Sequence, residues 1–99
     1  MIMKEEKIQL LHPLGKKNVR MDKKKYDVMR KAIIHSLKSG PLKHKELLEK
    51  IQKGFQKNKT KFDGSVEWYM EGVKLDLEAT KQIERLNEKP PHEWSISKK

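Results

Sequence analysis

Four histidines (His12, His35, His44 and His92) and fourteen carboxylates are the side chains from which a metal or acid–base site would have to be built, and the chain has no cysteine. No two histidines lie at i, i+4 on one helix, and none has a carboxylate nearby at ligand spacing. They read as surface or hydrogen-bonded histidines. Without cysteine there is no disulfide, thiol nucleophile or zinc–thiolate site. There is neither a nucleophile elbow nor a phosphate-cradling Gly-rich loop. Gly64-Ser65 fits a helix start better than a nucleophile. Asp76 and Glu78, two apart on a helix, point about 200° apart and cannot work as a pair on one face. The sequence therefore predicts no catalytic residue, no metal and no cofactor, and a protein that is not an enzyme.

The basic residues point to an anionic partner. The net charge is +10, with 21 lysines against three arginines. Residues 62–99 hold six basic and eight acidic side chains, which leaves 18 and 6 for residues 1–61. The first part is thus +12 and the second −2, so an anion should meet the N-terminal part. Lys16, Lys17 and Arg20 precede the first helix, and Lys23, Lys24 and Lys25 form its first turn. Cations at the positive end of a helix dipole cost a few tenths of a kcal/mol each, and a phosphate nearby would offset that. Lys43 and Lys45 open a second helix, and Lys57, Lys59 and Lys61 line the loop before a third. The excess of Lys over Arg favours phosphate contacts over base reading. The blander reading is a Lys-rich solubilising surface.

Periodicity places the elements that must carry these residues. The length allows one domain. No apolar run approaches the roughly 20 residues of a membrane span, and residues 1–11 lack a signal-peptide pattern, so a cytoplasmic protein with no membrane partner is expected. Residues 1–21 form an arm, a short helix or an extended segment, ending in a short strand at Val19 to Met21. Asp22 is placed to cap helix 1, at 22–39, where Tyr26, Met29, Ile33 and Leu37 recur at helical spacing until Gly40-Pro41. Helix 2, at 43–56, carries Leu47, Leu48, Ile51 and Phe55. Helix 3, at 64–81, begins at Asp63-Gly64-Ser65. Its Val66, Tyr69, Met70, Val73 and Leu77 fall within roughly 60° of one direction. A second apolar set, Trp68, Gly72, Leu75 and Ala79, lies opposite, with Glu67, Glu71, Lys74 and Glu78 between. A helix apolar on two sides is buried on two sides. Two covers fit, the N-terminal Ile8/Leu10/Leu11/Leu14 segment or a second copy of the chain, and the intrachain one is preferred. Residues 83–96, alternating about an Asn/Pro turn, read as a β-hairpin.

This order of three helices and a hairpin resembles the winged helix-turn-helix superfamily, a mainly α (α+β) fold with a three-helix core and a C-terminal wing. Val73-Lys-Leu-Asp-Leu-Glu-Ala-Thr-Lys-Gln-Ile-Glu-Arg85 is similar to a recognition helix running into the first wing strand. The Gly usual at that join is replaced by Lys81. The chain also resembles a family of small microbial proteins of unknown function. The matching residues are His12-Pro13-x-Gly15-Lys16, Lys25-Tyr26-x-x-Met29-Arg30-x-Ala32-Ile33, Phe62-x-Gly64-Ser65-Val66-x-Trp68-Tyr69 and Val73 to Ala79. The second resemblance implies no activity.

The winged-helix resemblance implies nucleic-acid binding, of a transcription-regulator-like kind. Lys43, His44, Lys45, Ser65, Trp68 and Lys74 would make the helix-turn-helix contacts, and Arg85 and Lys89 would hold the wing on the backbone. The third helix opposes this reading, since 63–80 holds five acids and one Lys, and carboxylates repel phosphates. The alternative is a protein-interaction or homodimerisation module, without DNA binding, whose interface is Trp68, Leu75 and Ala79.

Overall fold

Asp22 sits at the N-terminal boundary of the first helix in the computed structural model, which describes residues 6–60, 62, 64–87 and 89–97. The helix, α1, spans Lys23–Leu37, and Asp22 ends the strand before it without giving it a side-chain cap. Helix α2 spans His44–Lys57 and α3 spans Val66–Ala79. Strands β1 (Lys7–Gln9) and β2 (Arg20–Asp22) pair antiparallel, Ile8 opposite Met21. Strand β3 (Leu42–Lys43) precedes α2, and β4 (Ile83–Arg85) and β5 (Glu93–Ile96) follow α3. The second sheet has the order β3-β5-β4, with Leu42 and Arg85 both opposite Trp94. The fold is thus a compact α+β arrangement of three helices and two small antiparallel sheets. Among the described residues no helix is long and apolar enough to cross a membrane.

The core draws on the stripes that periodicity picks out, although Leu48 and Phe55 of the α2 stripe are only half-buried. Tyr26, Met29, Ile33 and Leu37 of α1 meet Leu47 and Ile51 of α2 and Met70, Val73 and Leu77 of α3, all buried. Burying each aliphatic side chain contributes about 1.5–3 kcal/mol. Ile83 and Trp94 close the core from the second sheet. Val66 and Tyr69, expected within the α3 stripe, are only half-buried because they lie in the first, outermost turn.

The helix ends explain where the chain turns. Glu46 reaches back to accept from the Lys43 amide at 2.9 Å, half of a capping box. Ser65 Oγ accepts from the Trp68 amide and starts α3. Asp63, the other candidate cap, lies outside the described residues. Both α2 and α3 end in a Schellman pattern: the Thr60 amide donates to the Phe55 carbonyl and Lys59 to Gln56, and likewise Gln82 to Leu77 and Lys81 to Glu78. The left-handed residue of each is a lysine, Lys59 (φ 54°) and Lys81 (φ 63°), so Lys81 does perform the task of the missing glycine.

The second apolar side of α3 is covered from within the chain. The β1–β2 hairpin lies on it, bringing Val19, Met21 and Leu10 against Gly72. Asn18 Nδ2 donates to the Gly72 carbonyl at 3.0 Å, and the Leu11 amide donates to Asp76 Oδ1 at 2.8 Å. The other Asp76 oxygen accepts from the Tyr26 hydroxyl at 2.6 Å. Burial, and then the carboxylate, push that hydroxyl well above its usual pKa.

Candidate nucleic-acid interface

Lys23, Lys24 and Lys25 occupy the first turn of α1 with no acid among them. Each has its own surroundings. Lys23 pairs with Asp27 at 3.2 Å, one turn on and exposed. Lys24 is exposed. Lys25 leans onto α3, donating to the Tyr69 hydroxyl at 3.3 Å, with its ammonium 4.9 Å from the Tyr69 ring centroid and 5.8 Å from that of Phe62.

Those rings belong to a run of four. Phe55, on α2, stacks on Phe62 at 5.5 Å, Phe62 meets Tyr69 edge-on at 5.0 Å, and Tyr69 meets Trp68 edge-on at 4.8 Å. The run ends at Trp68, which is 49% exposed. Lys59 shares a surface hollow with Phe55, Phe62 and Val66. The start of α1, the loop after α2 and the start of α3 thus form one edge, with lysines beside aromatic rings and two helix N-termini at the same end.

The other expected contacts are dispersed. Lys16 and Lys17 line a shallow hollow in the arm, whose Leu11 and Asn18 bond to the middle of α3. Arg20 is exposed on β2, Lys43 and Lys45 flank His44, and Arg85 and Lys89 are exposed on the wing. Lys61 lies outside the described residues. Ser65 is exposed, its hydroxyl engaged at the helix start. Leu75 and Ala79 are half-buried, beside the Gly72 face that the arm occupies.

Lys74, expected among the contacts, is instead enclosed at 2% exposure. Its ammonium lies 3.6 Å from the Trp94 ring centroid, donates to His44 Nδ1 at 2.8 Å and lies 3.4 Å from Glu71 Oε2. Burial pushes its pKa below the usual value, with Glu71 opposing. His44 Nε2 is 3.0 Å from Glu67 Oε2. His44 Nδ1 also lies 3.4 Å from Glu71 Oε2, so the imidazole bridges Lys74 and both carboxylates. The Trp94 indole N–H donates to Glu78. This network ties α3 to the start of α2 and to β5, and it leaves Glu67 and Glu71 on the outer face of α3. Among the described residues no group of three His, Cys, Asp or Glu side chains is placed to hold a metal ion.

The aromatic run was not legible in the sequence, although Phe62, Trp68 and Tyr69 fall within eight residues. No element period connects Phe55, Phe62 and Tyr69 across the loop. No curated protein and no solved structure matches the chain. The model of a family of unknown function, DUF6958, matches residues 7–94, and the chain belongs to that family.

Proposed function

We propose that the domain is a winged helix-turn-helix that binds nucleic acid largely through phosphate contacts, at the edge where α1 and α3 begin. The element order α1–β3–α2–α3–β4–β5, with the sheet order β3-β5-β4, supports the fold reading. The observation that carries the function is Lys25 lying over Tyr69 and Phe62, with the half-exposed Trp68 at the end of the run and Lys23, Lys24 and Lys59 around it. Lysines beside an exposed aromatic face suit a strand whose phosphates meet the ammoniums while an unpaired base stacks, worth about 1–3 kcal/mol per base. The two helix dipoles add positive potential at this end.

The conventional mode, with α3 in the major groove, is disfavoured by the same geometry. Glu67 and Glu71 lie on its outer face, and the arm covers Gly72. Binding by this edge leaves Glu71 a turn away, while Glu67, in the first turn of α3, is engaged by His44.

The test is a titration of labelled single-stranded and duplex oligonucleotides at about 50 and 200 mM salt. With four lysine–phosphate contacts, single-strand affinity falls roughly 50-fold between the two. Charge reversal of Lys24 and Lys59 abolishes most of it, and Trp68→Ala weakens the single strand more than the duplex. No binding at the lower salt overturns the proposal.

A further inference from the structure

Gly54 lies in the interior of α2, yet nothing in the packing requires a glycine there: a Cβ would meet no heavy atom within 4 Å. A glycine inside a helix costs about 1 kcal/mol relative to alanine. What it leaves is space, for Gly54 lines an open groove of about 600 Å³ between α1 and α2.

The groove has an apolar floor and a basic rim. Val28, Ala32, Ile51 and Phe55 form the floor, and Val28 is 39% exposed. Lys31 and His35 stand on the α1 side and Lys50 on the α2 side, and among the described residues no acidic side chain lines it. Lys50 is held at one end, donating to the Ser36 carbonyl at 3.2 Å and Ser39 Oγ at 2.6 Å. Residues 24, 28, 31 and 35 share one stripe of α1, and 50, 54 and 57 one stripe of α2, so Lys24 and Lys57 prolong both rims. From Val28 to Ser36 the floor runs about 12 Å at the helical rise, two turns of an α-helix.

We infer that this groove docks an acidic amphipathic helix from a partner protein. Apolar anchors at i, i+3 or i+4, and i+7 match a two-turn floor, and flanking carboxylates meet the lysine rims. Nucleic acid suits the groove less well, because its floor is mainly aliphatic and the one ring in it, Phe55, is already stacked on Phe62. A second copy suits it less well too, since a chain of net charge +10 would be brought onto a lysine rim.

The probe is a labelled peptide of about 16 residues with leucines at those spacings and glutamates beside them. It is titrated into the full chain, with a scrambled peptide of identical composition as control. Saturable binding of the patterned peptide is expected, weakened at least about tenfold by Gly54→Leu, which fills the groove, and by Lys31→Glu, which reverses a rim charge. Thermal melts establish that each variant is folded, and Lys31→Glu decides the matter if Gly54→Leu is not. Equal binding of the scrambled peptide, no binding of either, or unchanged affinity in a folded variant overturns the inference. So does loss of oligonucleotide binding in Gly54→Leu, which would make the groove part of the nucleic-acid surface. A concentration-dependent mass abolished by Gly54→Leu would put a second copy there, again overturning it.

Discussion

An ammonium taken out of water costs several kcal/mol unless its N–H groups find partners, and Lys74 finds His44, Glu71 and the face of Trp94. From the sequence Lys74 belongs to the polar seam between two apolar stripes and reads as a surface contact. The available sign of burial was Glu71 at i−3 and Glu78 at i+4. Its other partners come from α2 and β5, and only the tertiary fold brings them together. The neighbouring acids were more legible. The roughly 200° between Asp76 and Glu78 sends one to the arm and Tyr26 and the other to the Trp94 indole. Lys74→Met keeps the volume without the charge and, since Glu71 stays half-exposed and no buried charge is stranded, should be neutral or mildly stabilising, whereas Lys74→Ala opens a cavity and should lose about 2–4 kcal/mol. The pH dependence separates charge from packing. Because the folded pKa lies below 10.5, the unfolded chain binds more protons between the two values, and the wild type gains stability as pH rises through that interval. Lys74→Met has no such gain, so its advantage should shrink from pH 7 to pH 10 in urea denaturation. An advantage that grows with pH would mean that the fold stabilises the ammonium.

The helices are where sequence and structure agree best, because a 3.6-residue period expressed over fourteen or fifteen residues admits one reading. Strand β3 has two residues, too few to show alternation, and it takes shape only by pairing with β5. The arm was ambiguous for a related reason. The two apolar sides of α3 require a second cover, but sequence alone leaves a choice between a hairpin of the same chain and another copy. Gly72 records the outcome, since a Cβ there would sit 2.9 Å from Val19 Cγ2 and 3.4 Å from Met21 Cε. Valine is stiff about χ1, so the hairpin itself has to move. Gly72→Ala should cost about 1–3 kcal/mol. Hydrogen exchange should show faster opening of the Leu10 and Leu11 amides, which bond to Val19 and Asp76, with α1 and α2 still protected. Gly54→Ala, where the Cβ enters open space, is the matched control and should stabilise by roughly 0.5–1 kcal/mol. Equal losses at both glycines would mean that helix propensity, and not the arm, sets the cost at Gly72.

For the molecule as a whole, charge acts in opposite directions on folding and on binding. Twelve of the positive charges in residues 1–61 have no acid within that stretch to balance them. In α1's first turn Lys23 pairs with Asp27 at an exposed site, where such a pair contributes little. Mutual repulsion among lysines therefore works against the folded state, over distances that ordinary salt screens: the Debye length is about 30 Å at 0.01 M and about 10 Å at 0.1 M. Raising salt from about 10 to 200 mM should raise the melting temperature of the free protein by a few degrees. The same change weakens phosphate binding, where counterion release dominates. Oligonucleotide added at low salt should raise the melting temperature as well, because it binds the native chain and relieves the repulsion at once, and that gain should vanish at 200 mM. A Lys-rich surface that served only solubility would show the first effect without the second. Melting curves at two salt concentrations, with and without oligonucleotide, thus separate a surface that merely tolerates its charge from one whose charge is matched to a ligand.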